Sequence, residues 1–124
     1  RAKMVGEVMG VPYDHLEKTR LSGTDVRIAP AKADVKGKKV LIVDDMISTG
    51  GTIIAAAYAL REAGAAGISV ACTHGVFVNN AIEKFTGSSL DALLSCNTLN
   101  NPVSHISVAS LIAEAIKDAQ KGKW

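Results

Sequence analysis

Two adjacent carboxylates and a short turn rich in hydroxyls and glycines are the residues of this sequence best suited to chemistry. Asp44 and Asp45 end an apolar run, and residues 48–52 (Ser-Thr-Gly-Gly-Thr) follow after two intervening positions. Paired glycines let the backbone approach a ligand closely, and a helix beginning there would offer unpaired N–H groups to a phosphate. Carboxylates repel phosphate, but they accept hydrogen bonds from sugar hydroxyls or bind a hard cation such as Mg²⁺. The arrangement therefore predicts a site for a phosphorylated sugar, with or without a metal ion.

Three other motifs that place glycines or acids after a strand do not match this turn. A Walker A loop requires Gly-Lys-Ser/Thr, whereas Thr52 directly follows Gly51. The dinucleotide fingerprint Gly-x-Gly-x-x-Gly is absent here. A signalling receiver domain would need a phospho-accepting aspartate at the end of a later strand, and Asp91 instead begins one. The alternative that needs no ligand is that Ser48 and Thr52 cap a helix and the glycines form its turn.

Apolar runs and helical spacings around the turn predict an α/β fold. Residues 40–43 (Val-Leu-Ile-Val) and 68–73 are typical of buried parallel strands, the first of them central in its sheet. Between them, apolar residues recur at helical spacing over residues 53–60, and Gly64 stands where the helix should end. Such a unit almost always crosses over right-handed, and ligands bind beyond the carboxyl ends of its strands, where the turn lies. The predicted fold class is a Rossmann-like parallel sheet flanked by helices.

The remaining segments predict shorter elements around that unit. Residues 2–9 show helical spacing that stops at Gly10, and residues 12–17 favour a brief strand. Residues 18–36 are polar and lack periodicity, so they are predicted to form a long loop of the kind that is usually functional. Further predictions are a helix over residues 79–85, strands over 90–96 and 106–108, and a closing helix over 110–121 that buries Leu111, Ile112, Ala115 and Ile116.

Composition limits the classes of protein to which the chain can belong. Its 124 residues predict a single domain over residues 1–124, and 48% hydrophobic content allows a substantial core. A net charge of +2 and 4% aromatic residues argue against a nucleic-acid partner. No apolar run has spanning length and no secretion leader is recognisable, so we expect neither a membrane partner nor export. Cys72 and Cys96 lie in apolar runs and are predicted to be thiols of a reducing compartment rather than a disulfide.

Residues 40–52 (Val-Leu-Ile-Val-Asp-Asp-Met-Ile-Ser-Thr-Gly-Gly-Thr) resemble the phosphoribosyl pyrophosphate signature shared by phosphoribosyltransferases and ribose-phosphate pyrophosphokinases. The flanking segments resemble the pyrophosphokinase family: Asp-Val-Lys-Gly-Lys at 34–38, Thr-His-Gly-Val-Phe at 73–77, Asn-Thr at 97–98 and Leu-Ile-Ala-Glu-Ala-Ile at 111–116. The resemblance covers nearly the whole chain. It implies the C-terminal half of that enzyme and the type I phosphoribosyltransferase fold.

The resemblance also implies an activity and a set of site residues. The family transfers the β,γ-diphosphoryl group of ATP to the 1-hydroxyl of ribose 5-phosphate, in cytoplasmic homo-oligomers (dimers or hexamers) that serve nucleotide biosynthesis. Lys18 and Arg20 match the Lys-x-Arg pair of its mobile catalytic loop, although on charge alone they would be a solvated surface stretch. Asp44 and Asp45 would hold the 2- and 3-hydroxyls, directly or through Mg²⁺. The residues that would hold the 5-phosphate are Ser48, Thr49, Gly50, Gly51 and Thr52.

The sequence departs from the family pattern in ways that bear on activity. Ser48 stands where many members carry a third acid, and the family's N-terminal half, with its ATP-binding residues and metal-binding histidine, is absent from these residues. We therefore expect weak binding of ribose 5-phosphate and no turnover by this polypeptide alone. The alternatives are a small phosphoribosyltransferase, which would need an aromatic-rich segment to stack a base, and a non-catalytic regulatory homologue. His74 is assigned no role, and no zinc site is predicted.

Overall fold

The protein, described by a computed structural model, begins with a helix and three successive strands, after which helices and strands alternate. The structure describes residues 1–22, 25–30 and 33–123, and for residues 18–22 and 25–30 it describes the backbone. The helices are α1 (Ala2–Met9), α2 (Gly51–Glu62), α3 (Ala81–Thr86) and α4 (Ala109–Gln120). The strands are β1 (Leu16–Ser22), β2 (Asp25–Pro30), β3 (Lys39–Ile47), β4 (Gly67–Gly75) and β5 (Ala92–Ser95).

The main sheet is parallel, with the strand order β3–β4–β5. This confirms the predicted α/β sheet flanked by helices, with α2 connecting β3 to β4 and α3 connecting β4 to β5. The prediction that residues 40–43 form the central strand is wrong for the described residues, because β4 occupies the centre and β3 lies at the edge. Ile68 and Val70 of β4 are fully buried, whereas Leu41 of β3 is 40% exposed. A continuous apolar run indicates burial, but it does not specify the order of the strands.

The hydrophobic core is formed mainly by buried residues of the sheet and of α2 and α3. Small residues on the inner face of α2 let its backbone approach the strands closely: Ala56 and Ala57 are almost completely buried, between Ile53 and Leu60. Phe85 of α3 joins the same core. The predicted helical spacing over residues 53–60 is therefore confirmed, and this packing fixes the start of α2 relative to the end of β3.

The segment between α1 and β3 differs from its prediction. Residues 18–36 were predicted to form a long loop, but β1 and β2 pair as an antiparallel ribbon, with Leu16 opposite Pro30 and Ser22 opposite Asp25. The strand predicted over residues 12–17 begins only at Leu16. The ribbon is not predicted because β1 mixes charged and apolar residues without strict alternation, and β2 alternates only over residues 25–28 before Pro30.

The C-terminal helix is also placed differently. α4 forms at the predicted position, but the side chains predicted to be buried are exposed: 65% for Leu111, 55% for Ile112 and 54% for Ile116, with Ala115 half-buried. Helical spacing shows which residues share a face, but not whether another element covers that face. The strand predicted over residues 106–108 is reduced to one parallel bridge between Cys96 and Ile106.

Two predictions about the cysteines and the membrane can be compared directly with the structure. Cys72 is buried and Cys96 is half-buried, and both are free thiols. Burial, with Cys96 and Asp44 nearby, raises the pKa of Cys72 to about 11, so this thiol stays protonated at neutral pH. Across the described ranges, no helix is long and apolar enough to cross a membrane.

Candidate functional site

A cavity of about 250 Å³ opens beyond the carboxyl end of β3, at the start of α2. The strand contributes Asp44, Met46 and Ile47 to its lining, and the turn contributes every residue from Ser48 to Thr52. The structure therefore brings together one of the two predicted carboxylates and all the residues assigned to the phosphate: Asp44 with Ser48, Thr49, Gly50, Gly51 and Thr52. Asp45 is not among the residues that line this cavity.

The turn leaves its hydrogen-bond donors available to a ligand. α2 begins at Gly51 without a side-chain cap, which contradicts the alternative in which Ser48 and Thr52 cap the helix. Ile54 is the first residue of the helix whose amide is bonded to the turn, at 2.9 Å from the Gly50 carbonyl oxygen. The N–H groups before it carry the positive end of the helix dipole, and this end of the helix is part of the cavity wall. Such a cradle suits a phosphate.

The two glycines of the turn have different surroundings. Gly50 has φ +77°, and a β-carbon at this position would lie 2.5 Å from Cζ of Phe85. The Phe85 ring is held in turn by an edge-on contact with Phe77, with 6.3 Å between ring centroids. A β-carbon at Gly51 would meet nothing within 4 Å. Gly50 is therefore required by the fold, whereas the space in front of Gly51 is left open.

The backbone of the turn is anchored to the segment that follows β4. The carbonyl oxygen of Ile47 accepts hydrogen bonds from the amides of Val76 and Phe77 at 3.0 and 3.1 Å. The carbonyl oxygen of Ser48 accepts one from the amide of Val78 at 3.1 Å. Phe77 has φ +45°, a left-handed conformation that is rare for a bulky residue, and these bonds help to hold it there. The turn is preorganised by these contacts.

Both aspartates interact with the first residue of the chain. The guanidinium of Arg1 lies 3.5 Å from Oδ1 of Asp44 and donates a hydrogen bond to Oδ2 of Asp45. Oδ1 of each aspartate also accepts a backbone amide, that of Asp45 at 2.9 Å and that of Met46 at 2.8 Å. Desolvation raises the pKa of Asp45, but its hydrogen bond with Asp44, the Arg1 charge and the Met46 amide outweigh it and bring this pKa below its ordinary value. Asp45 is therefore ionised at neutral pH.

The aspartates fit only one kind of magnesium site. Among the described residues there is no group of three or more histidine, cysteine, aspartate or glutamate side chains that could hold a metal. Mg²⁺ is usually bound by one or two carboxylates together with waters and substrate phosphates. Asp44 fits that role because it lines the cavity. Asp45 could bind the ion only after its ion pair with Arg1 is broken.

The predicted catalytic cations lie on the ribbon. The backbone positions of Lys18 and Arg20 belong to β1, opposite Ile28 and Val26 of β2. Their side chains lie outside the described residues.

Three contributors to the region were missed from the sequence. Arg1 pairs with both aspartates, but residues more than 40 positions apart carry no sequence signal for such a contact. Phe85 supports Gly50, and only a three-dimensional fold reveals that. The resemblance assigns no role to Thr98, yet its hydroxyl lies 2.9 Å from Nδ1 of His74.

Comparison with known proteins decides the family. Residues 26–123 match the Phosphoribosyl synthetase-associated domain. The chain belongs to this family. It is 45% identical over 117 residues to the ribose-phosphate pyrophosphokinase of Methanopyrus kandleri, a match that covers 94% of this chain and 40% of that protein. It is 52% identical over 108 residues to that of Pyrococcus furiosus, covering 87% and 38%.

A solved structure supports the same assignment of this phosphoribosyl synthetase-associated domain. The crystal structure of phosphoribosylpyrophosphate synthetase from Mycobacterium smegmatis matches it with a TM-score of 0.78 and 32% identity, over 98% of this chain and 42% of that one. The chain thus spans about 40% of the length of the pyrophosphokinases to which it is homologous.

Proposed function

We propose that this chain is the ribose 5-phosphate-binding C-terminal half of a ribose-phosphate pyrophosphokinase. The observation that carries the proposal is the cavity in which an uncapped helix start, three hydroxyls and a carboxylate meet beyond the carboxyl end of β3. This combination suits a ligand with an anionic end and a hydroxyl-bearing body. The homology to pyrophosphokinases supports a sugar phosphate as that ligand.

The turn would bind the 5-phosphate. Its backbone amides and the hydroxyls of Ser48, Thr49 and Thr52 are donors, and none of these hydroxyls is hydrogen-bonded within the part of the chain that the structure describes. Charge-assisted bonds from such donors are about twice as strong as neutral ones. The absence of a side chain at Gly51 lets the phosphate approach the amides directly.

The carboxylate at the cavity would orient the sugar. Asp44 faces the cavity and accepts hydrogen bonds from hydroxyls, so we assign to it the ribose 2- or 3-hydroxyl. Asp45 would take part only after it releases Arg1. Asp44, joined by Asp45 after that release, would hold a Mg²⁺ ion, which would supply positive charge to neutralise the substrate phosphates.

Turnover would join the 1-oxygen of ribose to the β-phosphorus of ATP, and the proton of the 1-hydroxyl would pass to water. The bond between the β-phosphorus and the oxygen that bridges it to the α-phosphorus would break, and AMP would leave with that oxygen. Lys18 and Arg20 would stabilise the negative charge that builds on the transferring group, a role that needs only correct placement of the cations.

The isolated chain would bind the sugar phosphate without forming product. It spans about 40% of the length of its relatives, and the ATP-binding residues implied by the resemblance are not among its residues. Its assembly into homo-oligomers, its cytoplasmic location and the single-domain organisation over residues 1–124 belong to the same proposal.

Calorimetric titration tests the proposal. We expect the chain to bind ribose 5-phosphate more tightly than ribose, with inorganic phosphate competing, and to release no AMP from ATP and ribose 5-phosphate. The matched control is Gly51→Val, which fills the space in front of the amides. Equal affinity of the two chains for ribose 5-phosphate would refute the site. Consumption of phosphoribosyl pyrophosphate with a free base would instead assign a phosphoribosyltransferase.

A further inference from the structure

The imidazole of His74, near the carboxyl end of β4, is held by a threonine. Its Nδ1 lies 2.9 Å from Oγ1 of Thr98. The same threonine hydroxyl donates a hydrogen bond to the carbonyl oxygen of Thr73 at 2.7 Å. Two polar partners therefore share one hydroxyl group.

Counting protons assigns the tautomer of His74. A hydroxyl carries one proton, and a carbonyl oxygen can only accept a hydrogen bond. The hydroxyl proton of Thr98 is therefore used in the hydrogen bond to the carbonyl oxygen of Thr73. Towards the imidazole, Thr98 can then act only as an acceptor, and Nδ1 must be the protonated nitrogen. In the neutral ring the other nitrogen, Nε2, is left as a hydrogen-bond acceptor.

The segment that carries Thr98 is held in place from two sides. The amide of Asn97 donates to the carbonyl oxygen of Ile106 at 2.8 Å, and Asn97 bridges to His74 in antiparallel fashion. The side-chain amide of Asn101 donates to the carbonyl oxygen of Gly75 at 3.1 Å. These bonds preorganise the threonine beside the imidazole, so the ring orientation does not depend on a mobile loop.

Strand register places His74 next to a residue that lines the cavity, although His74 is not itself one of the lining residues. His74 pairs with Met46 of β3, and Met46 lines the cavity together with Asp44. Residues paired in register, and residues two apart on a strand, share one face of the sheet, so His74 lies on the face of Asp44. Neighbouring strands are about 4.8 Å apart. The ring is exposed, and within the described part of the chain Nε2 has no hydrogen-bond partner.

We infer that His74, fixed by Thr98 with its proton on Nδ1, is a positioning residue that accepts a hydrogen bond through Nε2 from a hydroxyl of the sugar phosphate in the cavity. This inference rests on the proposed function, since the hydroxyl donor belongs to the proposed ligand. A neutral acceptor suits this place because it binds a hydroxyl without bringing further negative charge towards the phosphate.

Nitrogen-15 NMR tests the tautomer without any ligand. In spectra of the labelled chain at about pH 8.5, we expect a protonated Nδ1 and an unprotonated Nε2 for His74. Thr98→Val removes the acceptor and should abolish this preference, whereas Thr98→Ser should retain it. A proton on Nε2 in the unaltered chain, or an unchanged tautomer in Thr98→Val, would overturn the inference.

Ligand titrations test the second half of the inference. We expect His74→Ala to weaken ribose 5-phosphate binding about three- to tenfold, the effect of one neutral hydrogen bond, and to leave inorganic phosphate binding unchanged. Thr98→Ser should bind like the unaltered chain. Equal losses for both ligands, or no loss for the sugar phosphate, would refute the role of His74. If the unaltered chain bound neither ligand, the proposed function would fail and the ligand of His74 with it, while the tautomer would still be decided by NMR.

Discussion

Replacing the two adjacent glycines of the turn one at a time should separate ligand binding from folding. A side chain at Gly51 enters open space on an ordinary backbone, so Gly51→Val should change the free energy of unfolding by less than about 1 kcal/mol. The same side chain fills the region in front of the helix amides. Loss of two charge-assisted hydrogen bonds, at about 1.5–3 kcal/mol each, predicts a decrease in phosphate affinity of at least about a hundredfold.

Gly50→Ala should have the opposite effect. The left-handed backbone at φ +77° costs a non-glycine residue about 1–2 kcal/mol. The new methyl group would lie 2.5 Å from Cζ of Phe85, and such overpacking costs about 1–3 kcal/mol. We therefore expect a loss of about 2–5 kcal/mol in unfolding free energy. Combining it with Phe85→Leu should cost less than the sum of the two single changes, because the leucine leaves room for the methyl group.

Urea unfolding followed by circular dichroism measures the stability of each variant, and calorimetric titration with inorganic phosphate and ribose 5-phosphate measures binding. Unaltered binding by Gly51→Val would mean that phosphate does not sit in front of this helix start. A Gly50→Ala chain as stable as the unaltered one would contradict the contact with Phe85.

Three further predictions concern other parts of the molecule. Arg61 donates hydrogen bonds to three backbone carbonyl oxygens and to the carboxylate of Asp91, which precedes β5. Arg61→Ala should therefore lower the unfolding free energy by about 2–4 kcal/mol in a urea titration. Replacement of the exposed Lys117 by alanine is the control and should have almost no effect. At pH 8 maleimide should react with Cys96 well before Cys72. The pKa of about 11 leaves the buried Cys72 thiol at least about a hundredfold less ionised than an ordinary thiol. Mass spectrometry of the labelled native chain measures this, and equal labelling of the two cysteines would contradict it. In a full-length pyrophosphokinase carrying this domain, Lys18→Ala should lower kcat far more than the affinity for ribose 5-phosphate, and equal losses would place Lys18 in ground-state binding.

The part of the fold that could be predicted from the sequence is the part in which local pattern and burial agree. The β3–α2–β4 unit has both: an apolar run, helical spacing from Ile53 to Leu60, and a second run with Ile68 and Val70 fully buried. For the same reason the turn was located correctly, since it must lie between that strand and that helix.

The errors arise where non-local contacts decide the outcome. The β1–β2 ribbon is stabilised by pairing between two strands, of which β1 lacks a clear alternation and β2 alternates over only four residues. The exposure of Leu111 and Ile116 depends on which elements face α4, and helical spacing contains no such information. At the site, Asp44 and Asp45 are equivalent in the sequence, but successive strand residues point to opposite faces, and only Asp44 lines the cavity.

The anchoring of the turn to residues 76–78 has a consequence for local motion. Three backbone bonds join the carbonyl oxygens of Ile47 and Ser48 to that segment, so neither side can open without breaking all of them. The two stretches of chain therefore behave as one cooperative unit in native-state fluctuations. An anion captured at the helix start should slow deuterium uptake at the amides of Val76, Phe77 and Val78, although they bond to carbonyl oxygens and not to the anion.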